Sequence, residues 1–335
     1  MSINLLFLKN IGVCSRLALC AFLLAQAVPH AALAQEPWPA KPIRLIVPFP
    51  PSGGTDLLSR ELAAAIAAST KWTIVIDNRP GAGGNIGLEA AAKAAPDGYT
   101  IAIGQTSNLA INPALYAKPP FDALKDFAPI VLVSAQPLIL VVASQAPYRT
   151  LADLVAAAKA KPGALNMGSP GNGTVGHIGG ELFQRIAAIR CIHVPYKGAG
   201  PAVTDLMGGS IDLYFGNSQS VAPLVSSGRL RAIAVTSAKR MAVFPAMPTV
   251  AQSGYAGFEA GTWSGLVAPA GTPRAIVERI NAEAGKALLR KDLLDKLAAD
   301  GSEPMGGSPQ RFADFIKSEH AKWGVVIREA GISLD

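Results

Sequence analysis

The order of segments along the sequence predicts an α/β fold, and the composition predicts a chain with a large folded interior. From Lys41 onward, short apolar segments that suit strands alternate with Ala-rich amphipathic segments that suit helices, an order typical of parallel strands joined by crossover helices. Of the 335 residues, 50% are hydrophobic and 16% are charged, which excludes intrinsic disorder and provides for a large interior. A chain of this length is expected to form two domains, and the lack of a fixed repeat period excludes solenoids and propellers.

The chain is predicted to begin its folded part with a βαβαβ unit. Strands are predicted at residues 43–49, 73–77 and 100–103, with one helix at 56–68 and another that ends at Lys93. In the first helix, Leu58, Leu62 and Ile66 fall on one stripe, so we expect this face to be buried.

A stretch with several prolines, residues 108–129, interrupts the alternation and is typical of a passage between domains. Two apolar runs, 130–133 and 138–143, then resume it. The later segments predict strands at 165–167, 191–195, 211–215, 232–236 and 265–268, and helices at 151–159, 175–187, 201–207, 273–289, 291–299 and 309–330. We therefore expect residues 35–104 with 237–335 to form one domain, and residues 105–236 to form the other.

Residues 1–34 have the features of an export signal. Lys9 and Arg16 precede or flank an apolar run, and Ala32-Leu33-Ala34 supplies the small residues that a signal peptidase requires, so cleavage before Gln35 is predicted. The apolar run is too short to span a hydrocarbon core of about 30 Å, which argues against a membrane anchor. A lipid-modified Cys20 stays open as an alternative, although Leu19 is bulky for such a motif.

The charge and cysteine content narrow the possible partners. The net charge of +7 falls to +5 without Lys9 and Arg16, and the basic residues are scattered, so no nucleic-acid surface is indicated and attraction of small anions is the most that the charge supports. Cys191 is the one cysteine left in the mature chain. Because no histidine shows metal-ligand spacing, we expect Cys191 to be a small buried apolar residue and expect no metal or cofactor.

A glycine-rich turn follows the first predicted strand and precedes the first helix. Amide N–H groups at a helix start have no carbonyl partner inside the helix, and Gly53 and Gly54 allow a ligand to approach the main chain. Ser52 or Thr55 would cap the helix or donate a hydroxyl. The turn therefore indicates either an anion site or an ordinary capped turn, and Asp56 would repel an anion unless it is turned aside.

A second turn of this kind spans residues 168–177. Its glycines at 171, 173 and 176 match a dinucleotide-binding pattern, but the next strand ends at Pro195-Tyr196-Lys197 and lacks the acidic residue that would hold a ribose, so we expect no dinucleotide. Ser169 and His177 allow an alternative, an exported serine hydrolase. Capping and ligand hydrogen bonds are simpler roles for both residues, so no catalytic residue is predicted.

Several motifs together resemble one known family. They are Trp38-Pro39-Ala40-Lys41-Pro42-Ile43-Arg44, the run PFPPSGGTD that ends at Asp56, Asp77-Asn78-Arg79-Pro80-Gly81-Ala82-Gly83-Gly84, Asp97-Gly98-Tyr99-Thr100, Val194-Pro195-Tyr196-Lys197-Gly198, Gly209-Ser210-Ile211-Asp212 and Ala268-Pro269-Ala270-Gly271-Thr272-Pro273. In this order they are similar to the periplasmic receptors of tripartite tricarboxylate transporters. The resemblance implies a two-lobed Venus-flytrap fold, in which each lobe is a mostly parallel sheet flanked by helices. It also implies a monomeric periplasmic protein that binds a di- or tricarboxylate or an aromatic acid and delivers it to membrane subunits.

The same resemblance implies which residues bind the ligand. They are Phe49, Pro51, Ser52, Gly53, Thr55 and Asp56 in one lobe, Ser169, Gly173, Thr174 and His177 in the other, and Thr106, Asn108 and Asn217 by their places after strands. Two residues depart from the family pattern: Ser52 stands where glycine is frequent, and Gln252 where glutamate is frequent. A sensory receptor of the same fold stays open as an alternative to transport.

Overall fold

Two β-sheets share one long strand in this computed structural model, which describes residues 38–333. The predicted signal segment 1–34 therefore lies outside the described residues. The strands are β1 (Ile43–Val47), β2 (Ile74–Asn78), β3 (Thr100–Gln105), β4 (Phe127–Ala143), β5 (Asn166–Ser169), β6 (Ile192–Pro195), β7 (Leu213–Asn217), β8 (Leu230–Val235), β9 (Gly261–Pro269) and β10 (Glu303–Pro304).

Helices cover the faces of both sheets, as the alternation predicted. They are α1 (Gly54–Thr70), α2 (Asn85–Ala92), α3 (Asn112–Leu115), α4 (Leu151–Ala160), α5 (Val175–Ala187), α6 (Ala199–Gly208), α7 (Ser218–Ser226), α8 (Arg274–Leu288), α9 (Lys291–Ala299) and α10 (Pro309–Ala330). Leu58, Leu62 and Ile66 of α1 are buried, which confirms the predicted stripe. Between residues 38 and 333, no helix combines the length and apolarity that a membrane span requires.

Each sheet has three parallel strands at one side and antiparallel strands toward the shared strand. In the first sheet, β1 pairs in parallel with β2 and β3, while β9 runs antiparallel between β3 and β4. In the second sheet, β5 pairs in parallel with β6 and β7, while β4 pairs antiparallel with β7 and β8. The sheets are therefore mixed, and each one with its helices forms a lobe.

Strand β4 carries the chain from the first sheet to the second. It pairs with β9 as far as Pro137, opposite Gly261, and with β7 from Leu138. The two apolar runs predicted as separate strands are thus one strand of 17 residues. The predicted domain boundaries at 104 and 236 stay predictions.

Thr236 connects the two points at which the chain changes sheets. Its hydroxyl accepts a hydrogen bond from the Leu138 N–H at 2.8 Å and lies within hydrogen-bond distance of the carbonyls of Leu138 and Ala260. Leu138 follows the crossing in β4, and Ala260 precedes the return into β9. The side chain is fully buried, so these two segments are held side by side between the lobes.

Cys191 packs at the edge of the main apolar core, beside β6. It is half-buried rather than fully buried, and its N–H donates to Oε1 of Gln184 at 2.5 Å. Burial, together with the charges of Glu181 and Asp212, raises the pKa of the Cys191 thiol to about 11. At neutral pH the thiol is therefore protonated and acts as an apolar side chain.

Candidate ligand-binding site

A cavity of about 90 Å³ lies between the lobes, where the glycine-rich turns meet. The first lobe contributes residues 49–51, 53–55, Gln105 and Thr262 to its wall. The second lobe contributes residues 170, 174–176, 197–201, Tyr214, Asn217 and Ser220. The starts of α1, α5 and α6 therefore all border one cavity.

The start of α1 presents its main chain to this cavity. Gly53 is the N-cap residue and has no side chain with which to cap the first-turn amides. The Thr55 hydroxyl is turned to Gln105, whose side-chain N–H it accepts. The Gly54 N–H donates across the gap to Oγ of Ser220 at 3.3 Å, so this turn contacts the opposite lobe.

Asp56 is turned away from the cavity, which removes the repulsion that the sequence left open. Its carboxylate accepts hydrogen bonds from the Ser52 N–H, Arg60 and Asn78, each at 2.9 Å. Burial alone would raise its pKa, but these bonds outweigh burial and hold the pKa of Asp56 below its usual value. The residue fixes the turn and does not face a ligand.

The arginines near this turn pair with aspartates of the first lobe. Arg60 pairs with Asp56, while Arg44 and Arg79 both pair with Asp77, at 2.6 and 2.9 Å. None of the three lines the cavity. An anion in the cavity would therefore depend on main-chain amides, hydroxyls and other side chains.

Ser52 is exposed and has a φ of 65°, in the left-handed region that favours glycine. This explains why glycine is frequent there in the family that the sequence resembles. Ser52 does not line the cavity; its N–H donates to Asp56.

The start of α5 is organised by hydrogen bonds inside its own turn. The Thr174 hydroxyl caps the helix by accepting from the His177 N–H at 3.4 Å, and the Gly173 N–H donates to Nδ1 of His177 at 3.3 Å. Ser169 is fully buried, and its Oγ lies 2.7 Å from Nε2 of His193 rather than beside His177. Ser169, Gly173 and His177 do not line the cavity, and their hydrogen bonds stabilise the turn.

His177 and His193 form a stacked pair behind this turn. Their ring centroids are 4.0 Å apart with an interplanar angle of 15°. Burial, then the neighbouring His193, lowers the pKa of His177 to about 3, and burial lowers the pKa of His193 to about 4. Both rings are neutral at physiological pH, which suits the donation from Gly173 to Nδ1.

The structure brings six of the residues predicted to bind ligand to the cavity wall. These are Phe49, Pro51, Gly53, Thr55, Thr174 and Asn217. Thr106 and Asn108, placed by topology alone, lie elsewhere: the Thr106 hydroxyl accepts from the Trp263 N–H, and Oδ1 of Asn108 accepts from the Gln105 N–H, each at 2.9 Å. The remaining five support the two turns.

Sequence reasoning missed several residues of the cavity wall. Tyr214 and Thr262 lie within strands β7 and β9, and both are buried with hydroxyls that have no hydrogen-bond partner among the described residues. No local sequence pattern indicates that Tyr214 and Thr262 line a cavity. Lys197 and Gly198, in contrast, follow strand β6 and precede α6, so a search for a third glycine turn after a strand would have found them.

Lys197 lies where the cavity meets a wider outer cleft of about 660 Å³. It is exposed and lines both spaces. Among the described residues that line either space, Lys197 is the one with a charged side chain. The entrance therefore attracts an anion, and no lining carboxylate repels it.

Comparison with known proteins agrees with this geometry. Residues 58–332 match the family model described as the tripartite tricarboxylate transporter family receptor. The chain belongs to this receptor family. It is 38% identical over 319 residues to BugT of Bordetella pertussis, an alignment that covers 95% of this chain and 98% of BugT.

Solved structures of similar proteins have the same two-lobed fold, which confirms the predicted fold class. A Rhodopseudomonas palustris protein with adipate shares 36% identity at a TM-score of 0.86, over 88% of this chain and 99% of that one. MatC from Rhodopseudomonas palustris, with bound malate, shares 30% identity at a TM-score of 0.82, over 87% of this chain and all of that one. Receptors of this family are solute-binding proteins of the periplasm.

Proposed function

We propose that this chain is a periplasmic receptor that closes two lobes around a small organic acid and delivers it to membrane subunits of a tripartite tricarboxylate transporter. One observation carries the proposal: helix starts from both lobes converge on a cavity, and none of the described residues in its wall is acidic. The similar structures with adipate and malate support the class of ligand. We also propose that residues 1–34 direct export and that the mature protein is a monomer.

Main-chain amides supply enough binding energy for such a ligand. Hydrogen bonds to a charged group contribute roughly 1.5 to 3 kcal/mol each. Three or four of them, less the cost of ordering the ligand and closing the lobes, correspond to a dissociation constant in about the micromolar range. Lys197 at the entrance adds long-range attraction, and no buried arginine is needed.

Contacts between the lobes couple binding to closure. The Gly54 N–H reaches Ser220 of the other lobe, and the lobes approach so closely at Gly198 that a Cβ there would lie 2.8 Å from Pro50. A ligand that contacts both lobes stabilises this arrangement, because it makes all of its bonds only when the lobes meet. Membrane subunits can then distinguish the loaded receptor from the empty one.

The buried position of Ser169 disfavours the hydrolase alternative. Its Oγ is engaged by His193 and the Gly171 carbonyl, and the residue does not line the cavity. A serine nucleophile needs access to its substrate. We accordingly propose that binding, and no turnover, is the function of this cavity.

A thermal-unfolding screen tests the proposal. Protein unfolded and refolded to remove any retained ligand is heated with millimolar malate, adipate, short hydroxy acids and aromatic acids. A ligand present at about a hundred times its dissociation constant stabilises the folded state by about 2.7 kcal/mol, which corresponds to a rise in melting temperature of about 5 °C. If no acid raises the melting temperature, the proposed function is wrong.

A further inference from the structure

We propose that the preferred ligand is a short acid with one negative charge and an uncharged hydroxyl or keto group, and that Tyr214 and Thr262 recognise the uncharged group. This inference rests on the proposed function and narrows the ligand class within it. Three observations carry it: the charge of the cavity wall, two buried hydroxyls without partners, and the volume of the cavity.

The charge of the wall matches one carboxylate. Lys197 is the one charged side chain among the described residues that line the cavity and the outer cleft. The helix starts supply partial positive charge for a carboxylate beside them. A second carboxylate in the same enclosed space would have no cation of its own and would lose its hydration, which is unfavourable for a buried charge.

The unpaired hydroxyls indicate a neutral polar group on the ligand. Tyr214 is fully buried and Thr262 is 2% exposed, and neither hydroxyl has a hydrogen-bond partner among the described residues. Tyr214 comes from β7 of the second lobe and Thr262 from β9 of the first, and both line the cavity. A buried hydroxyl without a partner is unfavourable. A ligand hydroxyl both donates and accepts, so it can satisfy such groups.

The volume of the cavity favours a short ligand. An apolar cavity of about 150 Å³ admits benzene. Benzene has six heavy atoms, so the cavity here, at about 90 Å³, holds about four by the same comparison. A three-carbon hydroxy acid therefore fills the cavity and reaches its mouth at Lys197, whereas an aromatic acid or a six-carbon dicarboxylate would extend well into the outer cleft.

Matched three-carbon acids test this preference by calorimetry. Propionate, 3-hydroxypropionate and malonate differ only in the group at the end of the chain, and lactate carries its hydroxyl beside the carboxylate. We expect at least one hydroxy acid to bind about ten times more tightly than propionate and malonate. Tighter binding of malonate, or of adipate, would overturn the inference but support the proposed function. If no acid of any length binds, the proposed function itself fails.

Two isosteric variants test the assigned residues. Tyr214→Phe and Thr262→Val are each expected to weaken binding of the preferred hydroxy acid about ten-fold and to leave propionate binding unchanged. The matched control is Ser134→Ala, since Ser134 also has a buried hydroxyl without a partner but does not line the cavity. Because each variant removes an unpaired buried hydroxyl, the ligand-free protein should unfold at no lower temperature. Equal loss of propionate and hydroxy-acid affinity, or no loss of either, contradicts the assignment.

Discussion

Gly53→Ala is expected to weaken binding of the preferred acid by at least about 100-fold while the protein still folds. A Cβ at Gly53 would meet no protein atom closer than the Pro50 carbonyl oxygen, at 3.5 Å, and the φ of −79° suits any residue. The added methyl group therefore changes the free energy of unfolding little. It lies at the cavity wall, however, beside the first-turn amides of α1. Losing two charge-assisted hydrogen bonds corresponds to about 3 kcal/mol or more, and calorimetric titration measures this change.

A second glycine provides the control for this variant. Gly208, at the end of α6, has open space around its Cβ position and does not line the cavity, so Gly208→Ala should leave affinity unchanged. Thermal unfolding of both ligand-free variants checks that folding is intact. Wild-type affinity in Gly53→Ala would show that the start of α1 is not the carboxylate site.

Acidification to pH 5 is expected to lower the free energy of unfolding by about 3 kcal/mol through His177 and His193. Their pKa values are about 3 and about 4 in the folded protein, against 6.5 for an unperturbed histidine side chain. The unfolded chain therefore binds more protons as the pH falls below 6.5. The stabilisation is complete above pH 6.5 and is lost progressively as the pH falls from 6.5 toward the folded pKa values, at about 1.4 kcal/mol per pH unit for each histidine. This gives about 4 kcal/mol for the pair at pH 5, and solvent screening at the partly buried His193 reduces the expected loss to about 3 kcal/mol.

Urea unfolding at pH 7.5 and pH 5 measures this loss. A double variant, His177→Gln with His193→Gln, is expected to lose about 3 kcal/mol less than the wild type between these two values. Asp300 opposes the histidines, since burial raises its pKa to about 6, but it is present in both proteins and cancels in the comparison. His320→Gln, at a partly buried position of α10, is the control. Equal pH dependence in the double variant and the wild type would contradict the account.

Segments with local signals were predictable from the sequence. The predicted bounds of α5, α9 and α10 match the structure. In α10, Ser308 caps the first turn, Pro309 occupies the first helical position and Gly331 ends the helix in a left-handed conformation, so start and stop are both encoded within a few residues.

Elements that depend on distant partners were not predictable. The apolar runs 130–133 and 138–143 stood apart in the sequence, but β4 continues through Pro137 because its partners change there from β9 to β7. Helix α7 was missed because it begins with Ser218-Gln219-Ser220 and contains Pro223. Its Val221 and Ala222 are buried against the second lobe, and such packing outweighs weak helix propensity.

The candidate site was predictable as a pair of turns but not as a set of side chains. The sequence left open whether the first turn was an anion site or an ordinary turn. The structure shows that Asp56 is turned aside, an orientation that depends on Arg60 and Asn78, while the anion site itself stays a proposal. Tyr214 and Thr262 reach the cavity only because two strands from different lobes meet there, and no local pattern encodes that meeting.

A crystal structure of the protein with the acid that stabilises it most tests the central claim directly. We expect one carboxylate within hydrogen-bond distance of main-chain N–H groups at the start of α1 and of a helix start in the second lobe, with the rest of the ligand enclosed between them. A ligand bound outside this cavity, or one whose carboxylate contacts neither helix start, would contradict it.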